Sequence, residues 1–462
     1  MQQLTGVDAT FLHMEDSRIT GHTAGIMVLD PSTVDGPFNV ETVRAMYAAR
    51  LPHLTSLRWK LAEVPFGIDL PYWYDDQDVD LDYHVRGAAL PEPGTNEQLA
   101  ELVARIHQRP LDRARPLWET YVIEGLEGGK IAIYTKLHHA AFDGKSCVAL
   151  MMAFVSPDPH APDPEPPASM PEPEKKPTEF EMLSRGYLGV MGKPGQFLEL
   201  MQKAMADWTT QMTQMQPPKL PQTPPTPAPR LSFNKSLTSA RKFAFGQVSL
   251  SDVRQVKTAL GCTINDVVMA MCAGAMRRWL IDHNELPDGP IKAMVPVSTR
   301  TADQADSAGN QVSAMAPELP THLATARERL DAVRVAMAGA KEDFKAVPAT
   351  LLQQLGNFSA PAAAEYAART AAALKLAESS VLPFNLVISN VPGPREDLYY
   401  GGAKVVTQYP LSTIGDGSGL NITVVSTGDD LAFGLTTCPD VFPDADSVIG
   451  YLQEELAQLL EL

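Results

Sequence analysis

The fold of this chain is decided by the stretch His138-His-Ala-Ala-Phe-Asp-Gly144 and by its two flanks. The run Ile131–Leu137 before it is rich in β-forming residues, and Cys147–Phe154 after it has the apolar density of a helix packed on a sheet. The predicted local order is therefore strand, loop, helix. Such a junction lies at the end of a sheet, where α/β folds usually place their chemistry.

The loop carries two histidines, His138 and His139, and one carboxylate, Asp143. Imidazoles titrate near neutrality, which suits a base that must accept and return a proton at physiological pH. Asp143 can instead turn back to pair with an arginine or with backbone N–H groups and so hold the shape of the loop. Gly144 permits a backbone angle or a close approach that other residues resist.

Three other readings of the loop compete with a catalytic base. A zinc site would use the two histidines and Asp143, but the Cys and His residues elsewhere show no second ligand cluster at a useful spacing. Gly144-Lys-Ser146 resembles the tail of a phosphate-binding loop, but that motif requires a glycine where His139 stands. A hydrogen-bonded, purely structural histidine pair is the strongest competitor, and two histidines alone do not decide against it.

The pattern HHxxxDG is similar to the active-site motif of the CoA-dependent acyltransferase superfamily, which includes chloramphenicol acetyltransferases and peptide-synthetase condensation domains. Further motifs follow in the expected order: Arg115–Glu119 (RPLWE), Asn265–Ala270 (NDVVMA), Val295–Ser298 (VPVS), Gly309-Asn310 and Ile388–Pro394 (ISNVPGP). With the opening Leu4–Leu12, the set resembles the bacterial wax ester synthase/acyl-CoA:diacylglycerol acyltransferase family, and most of all its actinobacterial triacylglycerol synthases. The similarity runs nearly end to end, and the Pro-rich linker is the main departure.

The resemblance implies a fold and a reaction. The expected fold class is α/β, with two chloramphenicol-acetyltransferase-like lobes, mixed sheets and a channel between them. The expected reaction is acyl transfer from a long-chain fatty acyl-CoA to the hydroxyl of diacylglycerol, with long-chain alcohols as further acceptors. The alternative is a carrier-protein-dependent acyltransferase acting on a polyketide or peptide-derived hydroxyl or amine, and a lipid-coating protein that keeps only the fold is a third reading.

The resemblance also implies roles for single residues. His139 is the expected general base, His138 and Asp143 are expected to hold the loop with Gly144, and no metal or cofactor is expected beside the acyl-CoA substrate. Residues expected to stabilise the oxyanion or to line the channel are Asn265, Asp266, Ser389 and Asn390. For Asn265 and Asp266 the competing reading is a capping pair at a helix start, and for Ser389 and Asn390 it is turn chemistry. Trp118 is expected in the core.

Composition narrows the expected partners. The net charge of −17 argues against nucleic acid and gives little attraction to an anionic membrane. Four cysteines lack disulfide or CxxC spacing, which favours a reducing compartment. The chain opens without a signal-peptide pattern, and no run reaches the roughly 18 apolar residues of a membrane span. We expect a cytoplasmic protein that is soluble or associates peripherally with a membrane or with lipid droplets.

Proline marks the borders of three segments. Nine of the 21 residues over 157–177 and seven of the 13 over 217–229 are proline, which excludes regular helix or central strand there. We predict an N-terminal lobe over 1–155, a crossover linker over 156–240 and a C-terminal lobe over 241–462. Within the linker, 179–215 is rich in Met and aromatic residues and is either a packed crossover helix pair or a lid or interfacial segment near a lipid entrance.

The C-terminal segment yields several local predictions. Ser251 is expected to cap a helix ending at Gly261, and Thr263 to open the helix whose first turn holds Asn265 and Asp266. Arg300, after a strand over 291–297, is a candidate partner for Asp143. The remaining expected elements are helices over 321–340 and 349–376, a strand over 383–389, a hairpin over 419–435 and a closing amphipathic helix over 448–460.

Overall fold

The computed structural model describes residues 1–167, 174–185, 227–298, 312–346 and 382–462. Within them the chain forms two seven-stranded mixed sheets and a small three-stranded sheet, with helices packed against them, which confirms the predicted α/β class. The strands are β1 (Gln2–Gln3), β2 (His22–Asp30), β3 (Trp59–Ala62), β4 (Tyr72–Asp75), β5 (Val85–Ala89), β6 (Trp118–Glu124), β7 (Ile131–His138), β8 (Val155–Ser156), β9 (Lys242–Ser249), β10 (Ile291–Ser298), β11 (Val312–Met315), β12 (Glu318–Leu319), β13 (Leu386–Val391), β14 (Tyr399–Tyr400), β15 (Ala403–Leu411), β16 (Leu420–Thr427) and β17 (Asp430–Thr437).

Most of the described α-helices begin after a residue whose side chain accepts a hydrogen bond from a first-turn N–H group. The α-helices are α1 (Gly6–His13), α2 (Val40–Arg50), α3 (Leu81–His84), α4 (Asn96–His107), α5 (Gly144–Met152), α6 (Leu250–Leu260), α7 (Ile264–Asp282), α8 (Ala326–Ala346) and α9 (Ala445–Leu460). Asn39 caps α2, and the predicted start at Thr263 is confirmed for α7, where Thr263 forms a capping box with Asp266.

Two predicted helix starts were wrong. The cap of α6 is Ser249 rather than Ser251, and its side chain accepts a hydrogen bond from the Asp252 N–H. The helix predicted from residue 321 begins at Ala326, because Thr325 and Glu328 hydrogen-bond each other's backbone N–H groups in the pattern of a capping box.

The N-terminal sheet has the order β5-β6-β7-β2-β15-β14-β8. Strand β2 lies near its middle, antiparallel to both β7 and β15, and its register sets His22 opposite His138. The strands β14 and β15 come from beyond residue 398, so the C-terminal part of the chain completes this sheet. The division of the chain into three segments at residues 155 and 240 stays a prediction. The segment that forms β14 and β15 belongs by its position to the predicted C-terminal lobe, but it pairs in the N-terminal sheet.

The second sheet has the order β11-β10-β13-β16-β17-β9, and β12 pairs with β10. The predicted hairpin is confirmed as the antiparallel pair β16 and β17. The helix α7 is almost wholly buried against this sheet, and Trp279 stacks on Phe442 in the core. Trp118 is buried in the N-terminal lobe, as predicted, where its ring N–H donates to the Leu57 carbonyl.

The linker is described only in part. A helical turn over 179–185 sets Met182 into a small apolar cluster with Tyr72 and Tyr74 of β4. The rest of the Met-rich segment, the predicted helix over 349–376 and Arg300 lie outside the described residues. Within the described ranges, no single helix is long and apolar enough to cross a membrane. The helices α6 and α7 meet that criterion only when taken together, and they are bent by 104° relative to each other.

Candidate active site

The His motif lies where the fold changes from strand to helix. Strand β7 ends at His138, a turn follows, and α5 begins at Gly144. The backbone N–H of His139 donates to the Gly21 carbonyl at 2.8 Å, which ties the turn to the segment before β2. The half-buried His139 ring stacks on Phe11 of α1, with centroids 4.2 Å apart and planes at 11°. Its Nδ1 atom is buried.

A cavity of about 230 Å³ opens beside the His139 ring. Its walls come from β2, β7 and β15 of the N-terminal sheet, from α5, and from β13 and β16 of the second sheet. Most of the lining side chains are apolar: Ile26, Met27, Ile133, Leu137, Val148, Leu150, Met151, Phe154, Val391, Leu411 and Val425. The cavity thus combines one imidazole with a long apolar surface drawn from both sheets.

Cys147 lines the same cavity. Burial, together with the negative charge of Asp143, raises the pKa of this thiol to about 12. The group therefore stays protonated near neutrality and does not compete with a substrate hydroxyl as a nucleophile.

His138 faces away from the cavity, into the protein. Its ring is buried, its Nδ1 accepts a hydrogen bond from the Ala140 N–H at 3.0 Å, and its Nε2 lies 3.1 Å from Glu15 Oε1. Because Nδ1 is an acceptor, Nε2 carries the ring proton and faces the Glu15 carboxylate. The two histidines have different tasks, since His138 holds the turn and only His139 reaches the cavity.

Glu15 is the anchor of this turn, and no motif in the sequence pointed to it. Its Oε1 accepts the Gly21 N–H at 2.8 Å, and its Oε2 pairs with Arg113 at 3.0 Å. Burial on its own would raise the Glu15 pKa, but the close contact with His138 and the hydrogen bond from the Gly21 N–H outweigh it and lower the pKa to about 2. The carboxylate is charged at neutral pH and binds both strands that support His139.

A second buried polar layer lies behind Glu15. His107 Nδ1 is 2.9 Å from the Tyr134 hydroxyl, and the Lys136 ammonium donates to the Arg109 carbonyl at 3.0 Å beside Glu119. Burial lowers the pKa of His22 well below its usual value and that of His107 to about 3, so both rings are neutral at physiological pH. Sequence reasoning missed this layer, because its residues come from β2, α4, β6 and β7 and are brought together only by tertiary packing.

Asp143 caps α5. Its Oδ1 accepts the Ser146 N–H at 2.8 Å and the Ser146 hydroxyl at 2.7 Å, in line with the predicted backbone pairing. The carboxylate lines a small separate hollow beside Trp59 and Trp73 rather than the His139 cavity. We therefore expect Asp143 to affect catalysis by holding in place the turn that carries His139.

We expect Asp143→Ala to destabilise the protein by about 1 kcal/mol and to lower activity roughly tenfold, because the first turn of α5 loses its cap beside His139. Thermal melts and acyl-transfer rates measure the two effects. Asp143→Asn is the matched control, since Asn caps a helix about as well as Asp. An alanine variant with wild-type melting temperature and rate would refute the structural role.

The residues predicted to line the channel fall into two adjoining groups. Ser389 lines the cavity with His139. Its neighbour Asn390 donates to Asn265 Oδ1 at 3.4 Å, so the first turn of α7 lies against the end of β13. Asp266 serves the capping box, where its carboxylate accepts the Thr263 N–H at 2.9 Å. The capping alternative thus describes Asp266, whereas Asn265 turns towards β13.

Other cavity residues had no sequence signal. Tyr400 and Gln408 line it from β14 and β15, which join the N-terminal sheet from the far end of the chain. Within the described residues, no group of three or more His, Cys, Asp or Glu side chains is arranged to hold a metal ion.

Comparison with known proteins gives a consistent picture. Residues 4–268 match the family model of the wax ester synthase/diacylglycerol acyltransferase catalytic domain, and 308–460 match that of the C-terminal domain. The protein named "Probable diacyglycerol O-acyltransferase tgs2" of Mycobacterium tuberculosis is 38% identical over 98% of this chain and 97% of its own.

Solved structures agree. The wax ester synthase/diacylglycerol acyltransferase of Marinobacter aquaeolei VT8 matches with a TM-score of 0.67 and 28% identity over the whole of both chains. The trichothecene 15-O-acetyltransferase of Fusarium sporotrichioides matches with a TM-score of 0.58 at 12% identity, covering 99% of this chain and 94% of its own, a likeness of fold alone.

Proposed function

Because this chain belongs to the wax ester synthase/diacylglycerol acyltransferase family, we propose that it transfers a long-chain fatty acyl group from acyl-CoA to the hydroxyl of diacylglycerol, forming triacylglycerol. Long-chain alcohols are secondary acceptors and give wax esters. The observation that carries the proposal is the half-buried His139 ring at an apolar cavity beside Ser389. A base next to an apolar space fits a reaction between a fatty thioester and a lipid alcohol.

His139 acts as general base and then as general acid. Its neutral Nε2 takes the proton of the attacking hydroxyl while the oxygen bonds to the thioester carbon. The tetrahedral intermediate then breaks its C–S bond, and the imidazolium returns the proton to the leaving thiolate of CoA. No covalent acyl-enzyme is needed, which agrees with the raised pKa of Cys147.

The loop residues position this base. His138, charged Glu15 and the Gly21 carbonyl fix the turn, and Asp143 with Gly144 fixes the helix that follows. A ring held in one orientation loses less entropy when substrate binds, which favours proton transfer.

The start of α7 supplies the oxyanion stabilisation. Its first N–H groups carry the positive end of the helix dipole, and the Asn265 amide lies against the strand end that holds Ser389. Donors aimed at a developing oxyanion are worth several kcal/mol in a site that excludes water. Ser389 therefore lines the reacting end of the channel, Asn390 and Asn265 adjoin it, and Asp266 keeps the helix start in place.

The lipid acceptor reaches the enzyme from a membrane or lipid-droplet surface through exposed aromatic residues near the linker. Phe66 is 85% exposed and has a positive φ of 62°, and Phe180 is 79% exposed on the turn whose Met182 packs against β4. Holding a bulky residue at positive φ costs energy, which supports a function for the exposed Phe66 ring.

We expect the double variant Phe66→Ser/Phe180→Ser to bind triolein emulsions or neutral vesicles roughly tenfold more weakly, because two aromatic rings no longer enter the lipid. Flotation measures binding. Turnover of a water-soluble short alcohol should stay unchanged, and the exposed Val335 on α8, changed to Ser, is the control. Equal lipid binding by wild type and double variant would contradict the contact.

The test of the reaction is a matched assay of palmitoyl-CoA with diacylglycerol, hexadecanol and water. We expect triacylglycerol as the main product, less wax ester and little hydrolysis. Acyl-CoA is supplied without any carrier protein, so turnover in this assay counts against a carrier-dependent enzyme. Absence of ester from both lipid acceptors would refute the proposal.

A further inference from the structure

Gln408 of β15 places a primary amide in the wall of a cavity that is otherwise mostly hydrocarbon. The residue is only 6% exposed, and its Nε2 atom has no hydrogen-bond partner among the described residues. Its neighbour across the sheet is Met27 of β2, an apolar residue that lines the same cavity. A buried amide without a partner is destabilising, so a cavity that held only hydrocarbon would favour an apolar residue at this position.

Hydroxyl groups form a second polar patch in the same lining. The Tyr47 hydroxyl lies 2.7 Å from Thr120 Oγ1, which lies 3.1 Å from Thr135 Oγ1, and both Tyr47 and Thr135 line the cavity. Tyr400 lines it as well and is 3% exposed, and its hydroxyl lies beside that of Tyr47 without a hydrogen bond of proper geometry. Each hydroxyl can donate and accept, so the patch can take up one more hydroxyl group from a ligand.

The strand register gives the depth of these two patches. Thr135 precedes His139 by four residues of β7 and the turn, which is about 13 Å. Gln408 is level with Met27, and Met27 with Ile133, which precedes His139 by six residues or about 20 Å. A staggered alkyl chain advances about 1.25 Å per carbon, so the patches lie about 10 to 16 carbons from the reacting end.

We infer that Gln408 and Tyr400, with the Tyr47–Thr135 hydroxyl groups, form a polar subsite that binds a hydroxyl group on the distal half of the substrate's aliphatic chain. An amide offers a donor and an acceptor, and a hydroxyl both donates and accepts, so the two are complementary. The inference rests on the proposed function, since it assumes that the reacting end of the chain lies at His139. The hydroxylated chain belongs either to the acyl-CoA or to the lipid alcohol, and both would present the same group to this wall.

The test measures binding rather than turnover. Calorimetry would compare 12-hydroxypalmitoyl-CoA and 16-hydroxypalmitoyl-CoA with palmitoyl-CoA, and 1,16-hexadecanediol with hexadecanol, on wild type, Gln408→Met and Tyr400→Phe. Both variants keep the size of the side chain and remove its polar group. A buried hydroxyl without a partner weakens binding about tenfold or more. Wild type should bind a hydroxylated chain at least as tightly as the plain one, and Gln408→Met should shift that ratio about tenfold towards the plain chain, with Tyr400→Phe shifting it in the same direction.

Matched ligands and a matched variant serve as controls. In 2-hydroxypalmitoyl-CoA and 1,2-hexadecanediol the added hydroxyl lies next to the reacting end, so their affinities relative to the plain chains should be the same in wild type and in both variants. Gln453→Met removes an exposed amide on α9, outside the cavity lining, and should change none of the ratios. An unchanged ratio in both Gln408→Met and Tyr400→Phe overturns the inference, as does wild-type binding of every distally hydroxylated chain at least tenfold weaker than that of the plain chain. Tyr400→Phe decides the matter if Gln408→Met does not fold.

The two arms identify the source of the hydroxyl and separate the subsite from the reaction. A shifted ratio in the acyl-CoA arm assigns the subsite to the donor, and one in the alcohol arm assigns it to the acceptor. Ester formation from the plain chains with unshifted ratios would reject the subsite and leave the proposed reaction standing. Shifted ratios without ester formation would sustain the subsite and reject the reaction.

Discussion

Replacement of His139 by alanine is expected to lower kcat/KM for palmitoyl-CoA and diacylglycerol by about a thousandfold, because a positioned general base contributes 10²–10⁴-fold. The ring that is removed is the imidazole that lines the cavity, and its loss leaves the attacking hydroxyl without a proton acceptor. The fold should survive, since the turn is held by backbone and by His138. The expected melting temperature is within a few degrees of wild type, because the change forfeits mainly the stacking on Phe11.

His53→Ala is the matched control for this substitution. His53 is exposed, its Nε2 lies 2.9 Å from the Glu165 carbonyl oxygen, and it does not line the cavity. Its removal should leave the rate unchanged. A His139→Ala enzyme that keeps more than a tenth of the wild-type rate would assign the proton transfer to another group. A variant that loses both rate and fold would instead favour the structural histidine pair.

The His motif shows which features of the site can be predicted from the local sequence. The β-forming run Ile131–Leu137 and the apolar run Cys147–Phe154 predicted the strand and the helix, because both are set by residues close together in the chain. The different orientations of His138 and His139 could not be predicted. They depend on Glu15 and Gly21, which reach the motif only through the pairing of β2 with β7.

The same reason explains what was missed at the other end of the chain. The segment Ala403–Leu411 has a strand-like pattern, but nothing in it specifies that its partner is β2, almost 380 residues earlier. One wall of the cavity depends on that pairing, since Gln408 lies opposite Met27. The shape of the cavity is therefore set by tertiary contacts that cannot be read from a single sequence.

Glu15→Ala is expected to destabilise the protein by about 3 kcal/mol at pH 7 and to reduce activity about a hundredfold. The stability figure follows from a folded pKa of about 2 against an ordinary 4.5, at 1.36 kcal/mol for each unit. Because the folded pKa lies below the unfolded one, the stabilisation is complete above about pH 4.5 and is lost as the pH falls towards 2. Denaturant unfolding at several pH values should show the gap between wild type and variant closing over this range.

Arg113 provides an internal control for that experiment, because it pairs with both Glu15 and Glu63. The Glu63 side chain is largely exposed, so Glu63→Ala should cost less than 1 kcal/mol and leave the rate unchanged. Only Glu15 also binds His138 and the Gly21 N–H, whose donors would be left buried without an acceptor. If the two alanine variants lost equal stability, the ion pair with Arg113 would explain Glu15 entirely. A much larger loss for Glu15→Ala, with kcat falling more than KM changes, identifies it as the residue that positions His139.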